Sequence, residues 1–238
     1  MKKIILLSIS LLVLGSIKAQ NANAFSFGLS MGYMHPNNFN RTIYSYNYAR
    51  QWLEVKMPYF SKMEGWEAAY QHKGEGLGFE MSMGRISQSN IAHGLEPTTG
   101  QQGYRRIKLG IGGFSFGIVG TIVSEKHFEI SPALDFNLHF LNCTTTYGHD
   151  PNFTGASEED VFTKTKMGNT VALNFCLFAA KWFGINIKPY CELPWGRANV
   201  EGLATYFATS SEAGAQRDRV LNYGVSASII FEFGRDVD

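Results

Sequence analysis

From one end of the chain to the other, large apolar residues alternate with small or polar ones at a spacing of two. Phe25, Phe27, Leu29, Met31 and Tyr33 alternate with Ser26, Gly28, Ser30 and Gly32. Near the far end Leu221, Tyr223, Val225, Ala227, Ile229, Phe231 and Phe233 alternate with Asn222, Gly224, Ser226, Ser228, Ile230 and Glu232. Between them Phe128, Ile130, Leu134, Phe136, Leu138 and Phe140 alternate with Glu129, Ser131, Ala133, Asp135, Asn137 and His139. A period of two places each set on one face of a strand, whereas a helix would scatter it over its whole surface. Comparable segments fall at 77–85, 104–119, 171–180 and 185–195, with a weaker one at 65–71. The reading is therefore all-β, with about eight antiparallel strands. Within 104–119 the apolar positions change parity, from Ile107, Leu109 and Ile111 to Phe114, Phe116 and Ile118, which predicts a bulge at Gly112 and Gly113. Pro132, Pro189 and Pro194 predict further local bulges, because proline cannot donate to a ladder.

Alternation alone also fits a soluble, lipocalin-like lipid-binding barrel or a β-sandwich, and the chemistry of the two faces separates these. A soluble barrel or sandwich needs a polar outer face, but here the polar face is mostly Gly, Ser, Ala and Asn with isolated charges. Small residues suit the crowded interior of a narrow barrel. The charges on that face carry both signs: Glu80, Arg106, Lys108, Glu129, Asp135, Lys188, Glu192 and Glu232, with His139 as a further polar group. They are expected to pair inside the lumen as a structural network, since buried charges must be compensated. The opposite face is bulky, and its aromatics gather at the strand ends. Phe25, Phe27, Phe128, Trp182, Phe183, Phe231 and Phe233 lie at one end, and Tyr33, Tyr104, Phe140, Trp195 and Tyr223 at the other. Two such girdles mark a membrane-crossing barrel. Composition agrees, with 14% aromatic residues and 25 glycines against 17% charged residues.

The connections between these segments alternate long and short: 34–60 long, 71–76 short, 86–102 long, 120–127 short, 142–168 long, 181–184 short and 196–219 long. Short periplasmic turns and longer outer loops produce that rhythm, and an even strand number then puts both termini on the periplasmic side. In the first long connection Phe39, Ile43, Tyr46 and Leu53 follow a helical stripe that includes Arg50, which predicts a short helix over 38–55. Such a helix would pack over the barrel mouth or serve as a binding surface. The 142–168 stretch reads as a solvated, mobile loop.

Lys2 and Lys3, the apolar run Ile4 to Leu14 and the small residues before Gln20 form a signal-peptide pattern, so the expected division is a signal at 1–19 and one barrel domain at 20–238. Removing Lys2, Lys3 and Lys18 from the 21 basic residues leaves 18 against 20 acidic ones, a balance that gives no support to a nucleic-acid partner. Cys143, Cys176 and Cys191 are odd in number and lack metal-ligand spacing. Cys176 and Cys191 fall on neighbouring strands, and whether they pair is left open at this point.

In this pattern the whole stretch from Phe25 to Phe233 resembles the small outer-membrane β-barrel domains, the group that includes OmpA-like and OmpX-like barrels. Asn47, Arg50, Trp52, Leu53 and Met57 in the first long connection look like uncharacterised members of that group, and Phe231 and Phe233 resemble its terminal strand signal. Gly234 to Asp238 extend beyond that signal, a departure from the group's ending. The resemblance implies an up-and-down transmembrane barrel in the bacterial outer membrane, exported through a cleaved signal peptide and surrounded by outer-membrane lipid.

Candidate chemistry is sparse. The run Gly110 to Ser115 has no following helix and reads as strand, not as a dinucleotide loop. His139 and Asp135 share a strand face at about 13 Å, too far for a direct relay. No His-x-Ser pair of the lipid A deacylase kind is present, and His149 with Asp150 makes a weak metal signal. Asn40, Asn142 and Asn152 begin glycosylation sequons that an exported bacterial protein does not use. The expected protein has no cofactor and no catalytic or metal site, and it acts structurally or through an extracellular or envelope partner bound by its long loops. A lipid-modifying enzyme is the rival class.

Overall fold

A computed structural model describes residues 22–74, 76–207, 217–218, 220 and 222–234; the expected signal peptide lies outside them. The elements in chain order are β1 (Ala22–Met34), helix α1 (Asn37–Ala49), β2 (Leu53–Val55), β3 (Lys62–Lys73), β4 (Leu77–Leu95) and β5 (Gln102–Gly120). They continue with β6 (Val123–Glu125), β7 (Phe128–Gly148), β8 (Glu158–Ala180), β9 (Phe183–Pro194) and β10 (Ala198–Asn199). Helix α2 (Glu201–Tyr206), β11 (Arg217–Asp218) and β12 (Asn222–Phe233) complete them.

Eight strands, β1, β3, β4, β5, β7, β8, β9 and β12, form an antiparallel ring in which each pairs with its neighbours in the chain. The last closes on the first, from Asn23 opposite Phe233 to Met34 opposite Asn222. Closure removes the sheet edges and satisfies the backbone, the condition for crossing a bilayer with strands. Among the described residues no helix is long and apolar enough to cross.

Side-chain parity runs unbroken along β5, and the chemistry of its two sides inverts with height. On β5, Phe114, Phe116 and Ile118 point outward and are 58%, 59% and 43% exposed, while Ser115 and Gly117 point inward. Higher up the same strand Ile107, Leu109 and Ile111 point inward, at 0%, 1% and 3% exposed. The predicted bulge at Gly112 and Gly113 is therefore absent: Gly112 pairs with Arg85 and Phe140, Gly113 with Gly84 and His139, and the register is continuous. What changes at that point is the apolar side, not the strand. The prolines likewise produce no register shift. Pro132 lies opposite Leu173, Pro194 opposite Gly168 and Pro189 opposite Val225. The shifts that do occur are at Leu53/Val55, Cys143/Thr144 and Phe178/Ala180.

The barrel is also lopsided. β4, β5, β7 and β8 have 19, 19, 21 and 23 residues, whereas β1, β3, β9 and β12 have 13, 12, 12 and 12. A tilted strand needs about 9–11 residues to cross the hydrocarbon. The four long strands therefore rise beyond it as a half-wall of roughly 20 Å. Two expected long loops are consequently strand: the hairpin between β4 and β5 turns over 96–101, and that between β7 and β8 over 149–157. The 142–168 stretch is thus two paired strands and a turn instead of a mobile loop. The expected helix over 38–55 ends at Ala49, and Leu53–Val55 pairs with β4 instead.

Where the short strands stop, α1 stands in for the missing wall. Phe39, Ile43 and Tyr46 from α1 pack with Met57, Phe60 and Met63, with Leu203 and Phe207 around α2, and with Ile86, Ile107, Leu109, Leu141 and Phe162 from the tall wall. This apolar core fills the outer mouth. Asp218 anchors the start of α1 by accepting from the backbone N–H of Asn38 at 3.0 Å and of Phe39 at 2.7 Å. Asn47 ties its other end to Met57, both donating to and accepting from that residue's backbone. With an apolar outer band, a polar lumen and a closed ring, the chain is a membrane-spanning β-barrel of the outer-membrane type.

Candidate functional site

Below the apolar core the lumen is held by three ion-pair groups stacked along its axis. Near the periplasmic turns Lys73 reaches Glu129 at 2.7 Å and Glu232 at 2.9 Å. In the middle Lys188 bridges Glu67, at 2.8 Å, and Glu80. Gln71 donates to Glu80 at 2.6 Å, and Ser226 donates to Glu67. Toward the core Lys166 meets Glu192 at 2.8 Å. Strand parity turns each lysine inward, since every second residue of a narrow barrel must enter the lumen.

Of the residues expected in this network, Glu80, Glu129, Asp135, His139, Lys188, Glu192 and Glu232 face the lumen. Arg106 and Lys108 do not. They occupy outward positions of β5 on the tall wall, beside Thr146 and Thr144. There they line an exterior groove of about 270 Å³ with Ser89, Thr144, Thr146 and Glu158, and the Arg106 guanidinium lies 4.0 Å above the Phe153 ring. The reason is the inversion: above the hydrocarbon the outer face meets water and takes the charges. The reading from alternation also missed Glu67, Lys73 and Lys166. Glu67 and Lys73 sit in or beside the weakest strand segment, and Lys166 lay in a stretch read as loop. The opposite parity of Lys166 to the outward Met167 was the available signal.

One constellation in the lumen has the connectivity of a catalytic relay. His139 Nε2 lies 3.4 Å from Ser115 Oγ, and its Nδ1 lies 3.2 Å from Glu192. A carboxylate on Nδ1 keeps the proton there and leaves Nε2 free to accept from the serine. The adjoining cavity holds about 80 Å³ and is lined by Ser30, Glu67, Ser115, Asp135, His139 and Glu192 among others. That is room for a few waters and too little for a sugar or an acyl chain. Asp135 Oδ1 and Asn222 Oδ1 have no hydrogen-bond partner among the described residues, so this space is polar and suited to water.

The cysteine question closes on parity. None of the three forms a disulfide: Cys176 points into the lumen opposite Asn186, and Cys191 lies on the outward face opposite Val171. His149 and Asp150 are used locally, His149 against the Gln102 carbonyl at 3.2 Å and Asp150 accepting from the backbone of Asn152 and Thr154.

No protein-family model matches the chain, and no curated protein sequence does. Among solved structures, the chain is similar to Ail, the attachment invasion locus protein of Yersinia pestis, in complex with the heparin analogue sucrose octasulfate: 8% identity, TM-score 0.48, covering 90% of this chain and 99% of that one. It is similar to Neisserial surface protein A at 9% identity and TM-score 0.47, covering 91% and 100%. It is also similar to the outer membrane protein OprG from Pseudomonas aeruginosa at 9% identity and TM-score 0.47, covering 93% and 100%. Likenesses this distant assign neither a ligand nor an activity, nor do they single out OmpA-like or OmpX-like barrels. The barrel itself stands on the chain's own strand pairing.

Proposed function

We propose that the chain is a non-enzymatic, structural or surface-interacting barrel of the bacterial outer membrane, whose closed lumen conducts nothing and whose tall outer end meets an extracellular or envelope partner. The observation that carries this reading is the filling of the lumen. The apolar core of α1, α2 and the tall wall occupies the outer mouth, and three lysine–carboxylate groups cross the space below. Outer-membrane lipid is the partner along the flank, where Phe25, Phe27, Phe116, Trp182, Trp195 and Phe233 are exposed. The purified barrel in planar bilayers should give no stepwise current, and in membrane fractions it should run anomalously on gels until boiled. Single-channel steps would overturn the closed-lumen reading, and solubility without detergent would overturn the membrane placement.

The Ser115–His139–Glu192 relay favours one rival, a lipid-modifying hydrolase. Against it, the cavity cannot admit an acyl chain, and the backbone N–H groups around Ser115 are committed to strand pairing, which leaves no oxyanion hole. A fluorophosphonate probe should leave Ser115 unlabelled in the folded barrel. Labelling there would make the enzyme reading the correct one.

A further inference from the structure

At the outer rim two arginines are held together on aromatic rings. Arg50, at the end of α1, has its guanidinium 4.1 Å from the Tyr46 ring and 5.8 Å from that of Phe207. Arg105, facing inward near the top of β5, lies 4.9 Å from Tyr147, 5.5 Å from Phe207 and 5.9 Å from Tyr206. Tyr46 and Phe207 pack against each other at 4.7 Å, so both guanidiniums rest on one aromatic cluster. Stacking fixes the plane of a guanidinium; Arg50 donates weakly to the Tyr46 carbonyl at 3.4 Å and Arg105 to the Thr145 hydroxyl at 3.5 Å, which leaves their remaining N–H groups for a planar oxyanion.

Beside the Thr145 hydroxyl, Arg105 is close enough to Glu96 to interact with its charge, without a direct ion pair. Among the described residues no carboxylate forms an ion pair with Arg50 or Arg105. The nearest acids are already engaged, because Tyr147 donates its hydroxyl to Glu96 and Tyr206 donates its own to Glu159. Burial, and more weakly the neighbouring Arg105 charge, holds the Arg50 pKa below its ordinary value. Two half-buried cations side by side, with the nearest carboxylates bonded to tyrosine hydroxyls and not to them, cost free energy that an incoming oxyanion would offset. Tyr147 and Tyr206, 37% and 40% exposed, stand beside Arg105 and offer ring faces to the C–H face of a sugar. The rest of the tip is also rich in exposed tyrosine, with Tyr44, Tyr48 and Tyr59.

From this arrangement we infer that Arg50 and Arg105 bind the carboxylate of an acidic polysaccharide, with Tyr147 and Tyr206 stacking on its sugar rings. The inference rests on the reading that the outer end meets a partner, and it names that partner's chemistry. Planar, bidentate guanidinium geometry matches a carboxylate, and the flanking rings distinguish a sugar chain from an acidic peptide.

The test uses the full chain in nanodiscs, with alginate oligomers as the carboxylated polysaccharide, neutral dextran and polyglutamate. Alginate should bind and dextran should not. Arg50→Gln and Arg105→Gln should each weaken alginate at least tenfold, Arg105→Lys should rescue only in part, and Tyr206→Ala should weaken alginate about threefold while leaving polyglutamate unchanged. Heat-modifiability on gels confirms that each variant is folded. Absence of alginate binding by the folded protein, polyglutamate binding as tight as alginate, or indifference to Tyr206→Ala would each overturn the inference. A protein that is heat-modifiable and non-conducting yet ignores alginate would lose this inference alone and keep the broader reading.

Discussion

The two halves of β5 teach opposite lessons about the same backbone. In the membrane half Phe114, Phe116 and Ile118 face outward over a lumen of Ser115, Gly117 and buried ion pairs. In the outer half Ile107, Leu109 and Ile111 face inward beneath an exterior of Arg106 and Lys108. Strand parity is the same in both. The solvent outside differs, acyl chain below and water above, and each half puts its apolar side away from its own polar phase. A barrel that projects from the membrane therefore needs two cores of opposite chemistry, joined near Gly112.

The largest loss of stability is expected in the middle of the lumen. Lys188→Met leaves Glu67 and Glu80 facing each other without a cation and should destabilise the barrel by about 3–5 kcal/mol, read as a lower urea midpoint of the gel-shifted form in detergent. On the outside of the membrane half, Phe116→Arg should cost about 2–4 kcal/mol by the same measurement. An added arginine at Thr163, exposed on the outward side of the tall wall opposite Asn142, should change it by under about 0.5 kcal/mol. Equal costs at the two sites would mean that the apolar and polar bands are not where the inversion places them. The smallest effect concerns Glu96 in the β4–β5 turn. Its carboxyl is held below the usual carboxylate range, first by the Tyr147 hydroxyl and then by Thr99. A depressed pKa in the folded state stabilises at neutral pH, and that contribution is lost as pH falls through the folded value. Between pH 7 and pH 3, Glu96→Gln should therefore lose slightly less stability than the parent.

Much of this architecture is legible in the residues. The alternation of Phe25 to Tyr33 with Ser26 to Gly32 already implies a strand with one bulky and one small face, and eight such segments imply the ring. Seven of the nine expected lumen groups are there, because parity relative to a bulky neighbour decides which way a side chain points. Arg106 and Lys108 went the other way because their parity was judged against Ile107, Leu109 and Ile111 as though those were lipid-facing. The same assumption turned the upper halves of β7 and β8 into a loop, since Thr144, Thr146, Glu158 and Asp160 do not look like a wall against acyl chains. They are one against water.

What the amino-acid order settled by itself is therefore the strand content and, within each segment, which residues share a face, because side-chain direction in an extended chain is a local property with a period of two. Which face is inside, how far above the membrane the wall continues, and that Lys188 lies between Glu67 and Glu80 were decided only by closure of the ring and the docking of α1 against it. The Lys188 contacts join residues more than a hundred positions apart, and no local pattern records them.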